Sequence, residues 1–120
     1  MKIAITSKGK TIDSDVDVHF GRCPFFLIGD PQKMNFEPVE NNAREQNSGA
    51  GIKAAEIIAN HDVDGIITGD IGPNAFRALN ASGIKIYTGA EGSIKSALKK
   101  YKDGKLKETE EPSAFGGSGR

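Results

Sequence analysis

His19, Arg22 and Cys23 fall together in the stretch His19-Phe20-Gly21-Arg22-Cys23-Pro24. Imidazole and thiolate are ligands for iron and zinc, and a guanidinium adds a fixed positive charge beside them. The chain has a single cysteine, so the four thiolates of an ordinary iron–sulfur site cannot come from it. A closed tetrahedral zinc site fares no better, because the other histidine, His61, is distant in sequence. What remains for His19 and Cys23 as metal ligands is open ligation of a preformed cluster. The cluster itself or a partner would then supply the other ligands. A cysteine just before a strand also reads as a small buried apolar residue, and the residues alone leave both readings open.

A second stretch with chemical potential is Gly69-Asp70-Ile71-Gly72-Pro73-Asn74. It follows the β-branched run Gly65–Thr68, and it precedes Ala75, Phe76 and Leu79 at helical spacing. Strand, glycine loop and helix in that order place backbone N–H groups at the carboxyl end of a parallel strand. Gly69 and Gly72 would allow close approach of a ligand, and Asn74 would offer a polar contact in the first turn. The competing reading is a tight turn that packs a helix on its strand.

Other motifs fail on context. Gly9-Lys10-Thr11 imitates the end of a phosphate-binding loop, but Ala4 stands where a further glycine is needed and no helix pattern follows. Asp13, Asp15 and Asp17 imitate a calcium loop, yet Val18 and Pro24 occupy the glycine and glutamate places. Serines lie in polar loops without a nucleophile elbow. The first strand, Ile3–Thr6, has no carboxylate to hold the metals of a two-metal nuclease. A catalytic set is therefore not expected.

The elements that must position these residues follow from periodicity. Ile3–Thr6, Phe25–Ile28 and the region of Met34, Phe36 and Val39 read as strands joined by short links, so they should pair antiparallel. Pro38 places the third at a sheet edge. Asn41 to Gly51 reads as an exposed, mobile loop. Ile52, Ala55, Ile58 and Ala59 mark the first amphipathic helix. Ile84–Tyr87 is a further strand, and Ser93 caps a helix bearing Ile94, Ala97, Leu98 and Tyr101. The late strands alternate with helices and should run parallel to the first. The expected fold class is α/β: three α/β/α layers with a mixed five-stranded sheet. Residues 1–107 form one domain, and 108–120 read as a flexible tail.

Lys+Arg and Asp+Glu are both 16 in 120 residues, so no overall field draws the chain to nucleic acid or to a membrane. Lys99, Lys100 and Lys102 fall in the last turn of a helix, where they complement its dipole. No apolar run is long enough to span a bilayer, and the first residues enter a strand pattern at once, so the expected location is the cytoplasm and the expected state a monomer.

Four stretches together are similar to one family. His19–Ile28, Gly49–Glu56, Thr68–Phe76 and Tyr87–Ala90 resemble the dinitrogenase iron–molybdenum cofactor biosynthesis family, found as NifX-type carriers and fused to the cofactor-building NifB enzyme. The likeness runs from Met1 to about Leu106. It implies a ribonuclease-H-like fold and the transient binding or carriage of an iron–sulfur or iron–molybdenum cluster precursor, with no group permanently bound and no catalysis. It implies donor or acceptor proteins for that cluster as partners. The histidine of the family's HFG stretch maps to His19 as a cofactor contact, and the cysteine maps to Cys23. A small-anion or nucleotide sensor using the glycine loops, or an interaction module without ligand, are the alternatives.

Overall fold

The computed structural model describes residues 1–112. Its strands are β1 (Ile3–Ser7), β2 (Phe25–Gly29), β3 (Glu37–Glu40), β4 (Gly65–Ile67) and β5 (Lys85–Tyr87). Its helices are α1 (Ala50–Asn60), α2 (Pro73–Ala81) and α3 (Ile94–Lys102), and a short 3-10 turn covers Asn42–Glu45. The strands form one mixed sheet in the order β3-β2-β1-β4-β5. β1 pairs antiparallel with β2 and parallel with β4, and β5 extends the parallel part. The expected α/β class and mixed five-stranded sheet are thus found.

Alternation along the strands decides the layers, because successive side chains of a strand point to opposite faces. Ala4, Ile28, Ile66 and Ile86 face one core with Phe26 and the apolar faces of α1 and α2. Ile3, Ile5, Leu27 and Ile67 face the other, against Ile94, Ala97 and Leu98 of α3. β1 is buried along its whole length, as its central place requires. β3, which contains Pro38, lies at the edge and is mostly exposed.

Three local expectations are corrected. The link from β1 to β2 is a folded excursion and not a short turn. Lys8 N–H donates to the Asp15 carbonyl at 2.9 Å, Asp17 N–H to the Thr6 carbonyl at 3.1 Å, and Val16 N–H to the Gly92 carbonyl at 2.7 Å. These bonds lay residues 8–24 across the carboxyl ends of the parallel strands. Second, the Asn41–Gly51 stretch is not a loose loop at its start or end: Asn41 and Ala43 are buried, and Ala50 and Gly51 already belong to α1. The side chain of Asn41 caps the 3-10 turn by accepting from Ala43 N–H, which polarity alone does not reveal. Third, the buried face of α1 is Ala50, Ala54, Ala55 and Ile58, and Ile52 points outward at 42% exposure. Ala50, Ala54 and Ile58 stand four apart along one face of the helix, and Ile52 falls on the opposite side.

The chain after α3 returns to the sheet. Thr109 N–H donates to the Ile86 carbonyl at 2.6 Å, and Glu108 bridges Tyr87, so the first residues of the stretch read as a tail cover the edge of β5. Residues 113–120 of that stretch lie outside the described residues.

The face of α1 can be checked by two truncations. Ile58→Ala, at a fully buried position, should destabilise by about 2–5 kcal/mol in urea denaturation. Ile52→Ala should stay within about 0.5 kcal/mol of wild type. Similar losses at both sites would mean that the helix is rotated from this position.

Candidate functional site

Helices α1 and α2 both begin at one place, and what lets them do so is the absence of side chains. A Cβ on Gly51 would stand 3.2 Å from Ala75 Cβ, and a Cβ on Gly21 would stand 3.1 Å from Gly51 N. The His19–Cys23 loop therefore meets the first turn of α1 backbone to backbone, and the first turn of α1 meets the first turn of α2 through the small Ala75 side chain. Between them lies an open cavity of about 510 Å³. His19, Gly21 and Arg22 form one wall, Ser48, Gly49, Gly51 and Ile52 a second, and Asp70, Gly72 and Asn74 a third.

Neither helix closes its own amino end. The N-cap of α1 is Gly49, in the left-handed conformation at φ 76°, and the N-cap of α2 is Gly72. Neither has a side-chain cap hydrogen bond, and neither helix has an acidic residue in its first turn. The first N–H groups of a helix have no intrahelical partner and carry the positive end of its dipole. Pro73 removes one such group from α2, leaving those that follow it. α3 is built differently: Ser93 accepts from Ser96 N–H at 3.1 Å and satisfies that end locally. Two uncapped amino ends facing one cavity favour negative charge there, against the Asp70 carboxylate on the same lining.

The loop that carries His19 is fixed from both sides. Asp70 N–H donates to the Val18 carbonyl at 2.7 Å, and His19 pairs with Asp70 in a parallel bridge. His19 N–H donates to Asp17 Oδ1 at 2.9 Å, while its ring is exposed at the cavity. Asn41 Nδ2 donates to the carbonyls of Gly21 at 3.1 Å and Cys23 at 2.8 Å. Arg22 Nη1 donates to the carbonyls of Arg44 at 2.7 Å and Gln46 at 2.8 Å. Arg22 thus holds the neighbouring loop as well as bringing charge to the cavity wall.

The six residues singled out in the sequence separate into two groups. His19, Arg22, Gly72 and Asn74 come together around the cavity. Cys23 and Gly69 are not among the residues lining it. Gly69 is a packing glycine, since a Cβ there would lie 2.6 Å from Val18 Cα and 2.8 Å from its carbonyl oxygen. Cys23 is fully buried and belongs to the core of Phe20, Phe26 and Ala54. Its thiol donates to the Phe20 carbonyl at 3.4 Å. Burial, reinforced by the negative charge of Asp17, pushes the Cys23 thiol up to about 12. A thiol so placed keeps its proton and is a core residue, not an available thiolate. Ser48, Gly49 and Asp70 are cavity residues that sequence reasoning passes over. A signal for the first two exists in Gly49-Ala50-Gly51, glycines that open an apolar-periodic run as Gly69 and Gly72 do before α2.

With this geometry in view, comparison with known proteins is decisive. Residues 1–104 match the model of the family described as dinitrogenase iron-molybdenum cofactor. The chain belongs to that family. An uncharacterised protein of Methanocaldococcus jannaschii is 34% identical over 92% of this chain and 97% of its own. The apo form of the orange protein from Desulfovibrio gigas superposes with a TM-score of 0.91 at 35% identity, covering 94% of this chain and 96% of that one. A Thermotoga protein provisionally assigned as NifB superposes with a TM-score of 0.80 at 32% identity, covering 98% of both chains. Family membership associates the chain with the iron–molybdenum cofactor of dinitrogenase. Among the described residues no helix is long and apolar enough to cross a membrane.

Two measurements test this account of the site's supports. Gly69→Ala should destabilise by about 1–3 kcal/mol in thermal or urea unfolding, because backbone must move to admit the methyl group. For Cys23 the sign follows from linkage. Its folded value near 12 lies above the ordinary 9.0, so the unfolded chain ionises first. The stability this supplies is complete below about pH 9 and is lost as pH rises toward and through 12. Wild type should therefore lose about 1.4 kcal/mol per pH unit more than Cys23→Ala over that window. Parallel pH profiles for the two proteins would contradict the buried, protonated thiol.

Proposed function

We propose that the chain takes up a preassembled, negatively charged iron–sulfur or iron–molybdenum cofactor precursor in the His19 cavity and passes it to an acceptor protein without changing it. The observation that carries this reading is the meeting of two uncapped helix amino ends with a histidine at one open cavity. Each helix end favours a nearby negative charge by about 0.3–1 kcal/mol, and Arg22 adds a full positive charge at the wall. Asn74 adds amide N–H donors. His19 offers one imidazole to an exposed metal of the cluster.

Sparse ligation suits a carrier. One protein ligand and a set of amides hold a cluster in place but release it to a site with several thiolates. Cys23, buried and protonated, stays outside the ligand set in this reading. Among the described residues no group of three or more His, Cys, Asp or Glu side chains could hold a metal ion. That favours uptake of a finished cluster over assembly from single ions. The matching partners are cluster donor and acceptor proteins, met by a monomeric carrier, and no residue is assigned a catalytic role.

The test is an anaerobic titration with a synthetic four-iron four-sulfur thiolate cluster, followed by visible absorption and bound iron. Wild type and Cys23→Ala should bind alike. His19→Ala should bind at least about tenfold more weakly, since loss of even an outer partner of a metal ligand has that effect. Added salt should weaken binding in all of them, because an exposed anion site is screened. Wild-type affinity in His19→Ala would remove the imidazole from the site. A wild type that takes up no cluster would favour a small-anion sensor or an interaction module instead.

A further inference from the structure

Asn74 is exposed in the first turn of α2 and lines the cavity, and its amide is tied from outside. Asn74 Oδ1 accepts from Arg77 Nη2 at 2.6 Å. A guanidinium has donors only, so the atom it meets is the amide oxygen. Positions three apart on a helix are neighbours, which puts Arg77 within reach of Asn74 from the next turn. Arg77 is not among the residues that line the cavity.

The geometry points to Arg77 as a positioning residue for the cargo: it holds the Asn74 oxygen on itself and leaves the two N–H donors of Nδ2 for an anion. This rests on the reading of the cavity as an anion site. An untethered asparagine amide has a broad, roughly two-fold terminal torsion. It would present oxygen as readily as nitrogen, and a carbonyl oxygen repels an anion. The bond to Arg77 removes that choice. It makes the Asn74 side chain agree with the helix amides beside it, all of them donors. The rival explanation is that the Arg77 guanidinium attracts the anion directly through its charge.

Side-chain amide relaxation of nitrogen-15-labelled protein without cargo separates these possibilities. The Asn74 amide should be ordered in wild type and in Arg77→Lys, whose ammonium can also donate to Oδ1, and mobile in Arg77→Ala. Binding is then measured with two probes, inorganic sulfate and the synthetic four-iron four-sulfur thiolate cluster. Arg77→Ala should weaken both by about fivefold. The same substitution in an Asn74→Ala background should change neither. An Asn74 amide as mobile in wild type as in Arg77→Ala overturns the inference. So does an equal loss in the two backgrounds, which would assign the effect to direct charge. Uptake of sulfate but not of the cluster, with the predicted dependence on Asn74, sustains the positioning role while overturning the cluster cargo. Binding of neither probe by wild type overturns both.

Discussion

Three segments that pass too closely for side chains at Gly21 and Gly51 govern this molecule. Gly21 packs on Gly51, and Gly51 packs on Ala75. Because neither glycine carries a Cβ, these approaches can be short. They fix where two helices begin relative to one loop, so the His19 ring and the amide groups of α1 and α2 converge. A larger side chain at either glycine would push the helix ends apart and open the site from within. The core supports the same arrangement from below: Phe20, Phe26, Ala54, Ala55 and Ala75 fill the layer beneath the cavity.

The electrostatics of the fold are local. Formal net charge is zero, so no long-range field directs ligands to the protein. α3 is internally balanced, with a serine cap at its start and Lys99, Lys100 and Lys102 in its last turn. α1 and α2 lack caps, and their positive ends are left to the cavity. A glycine cap costs a helix only a few tenths of a kcal/mol relative to a serine or asparagine. Two such small losses leave the first N–H groups of both helices directed toward one cavity.

The thiol shows how burial can reverse the chemistry suggested by a residue type. Cys23 is close in sequence to His19 and Arg22, but it begins β2's approach to the core while they face outward. Desolvation favours the neutral thiol, and Asn41 holds the adjacent carbonyl in place. The residue closest to a metal ligand by type is therefore packed in the core, with its thiol on the Phe20 carbonyl.

The class of fold, the strands and the helix starts at Pro73 and Ile94 could be derived from the sequence, because alternation and helical spacing are short-range properties. So could the grouping of His19 with Arg22, and of Gly72 with Asn74, since each pair lies within one turn or loop. What the sequence could not determine was which pairs meet. The path of residues 8–24 across the strand ends depends on hydrogen bonds to Thr6 and Gly92, far apart in the chain. The burial of Asn41, the outward turn of Ile52, and the different fates of Gly69 and Gly72 likewise depend on distant neighbours. Gly69 meets Val18, whereas Gly72 lines the cavity. Local composition treats these glycines alike, and only the packing of non-local backbone tells a spacer from a cavity wall.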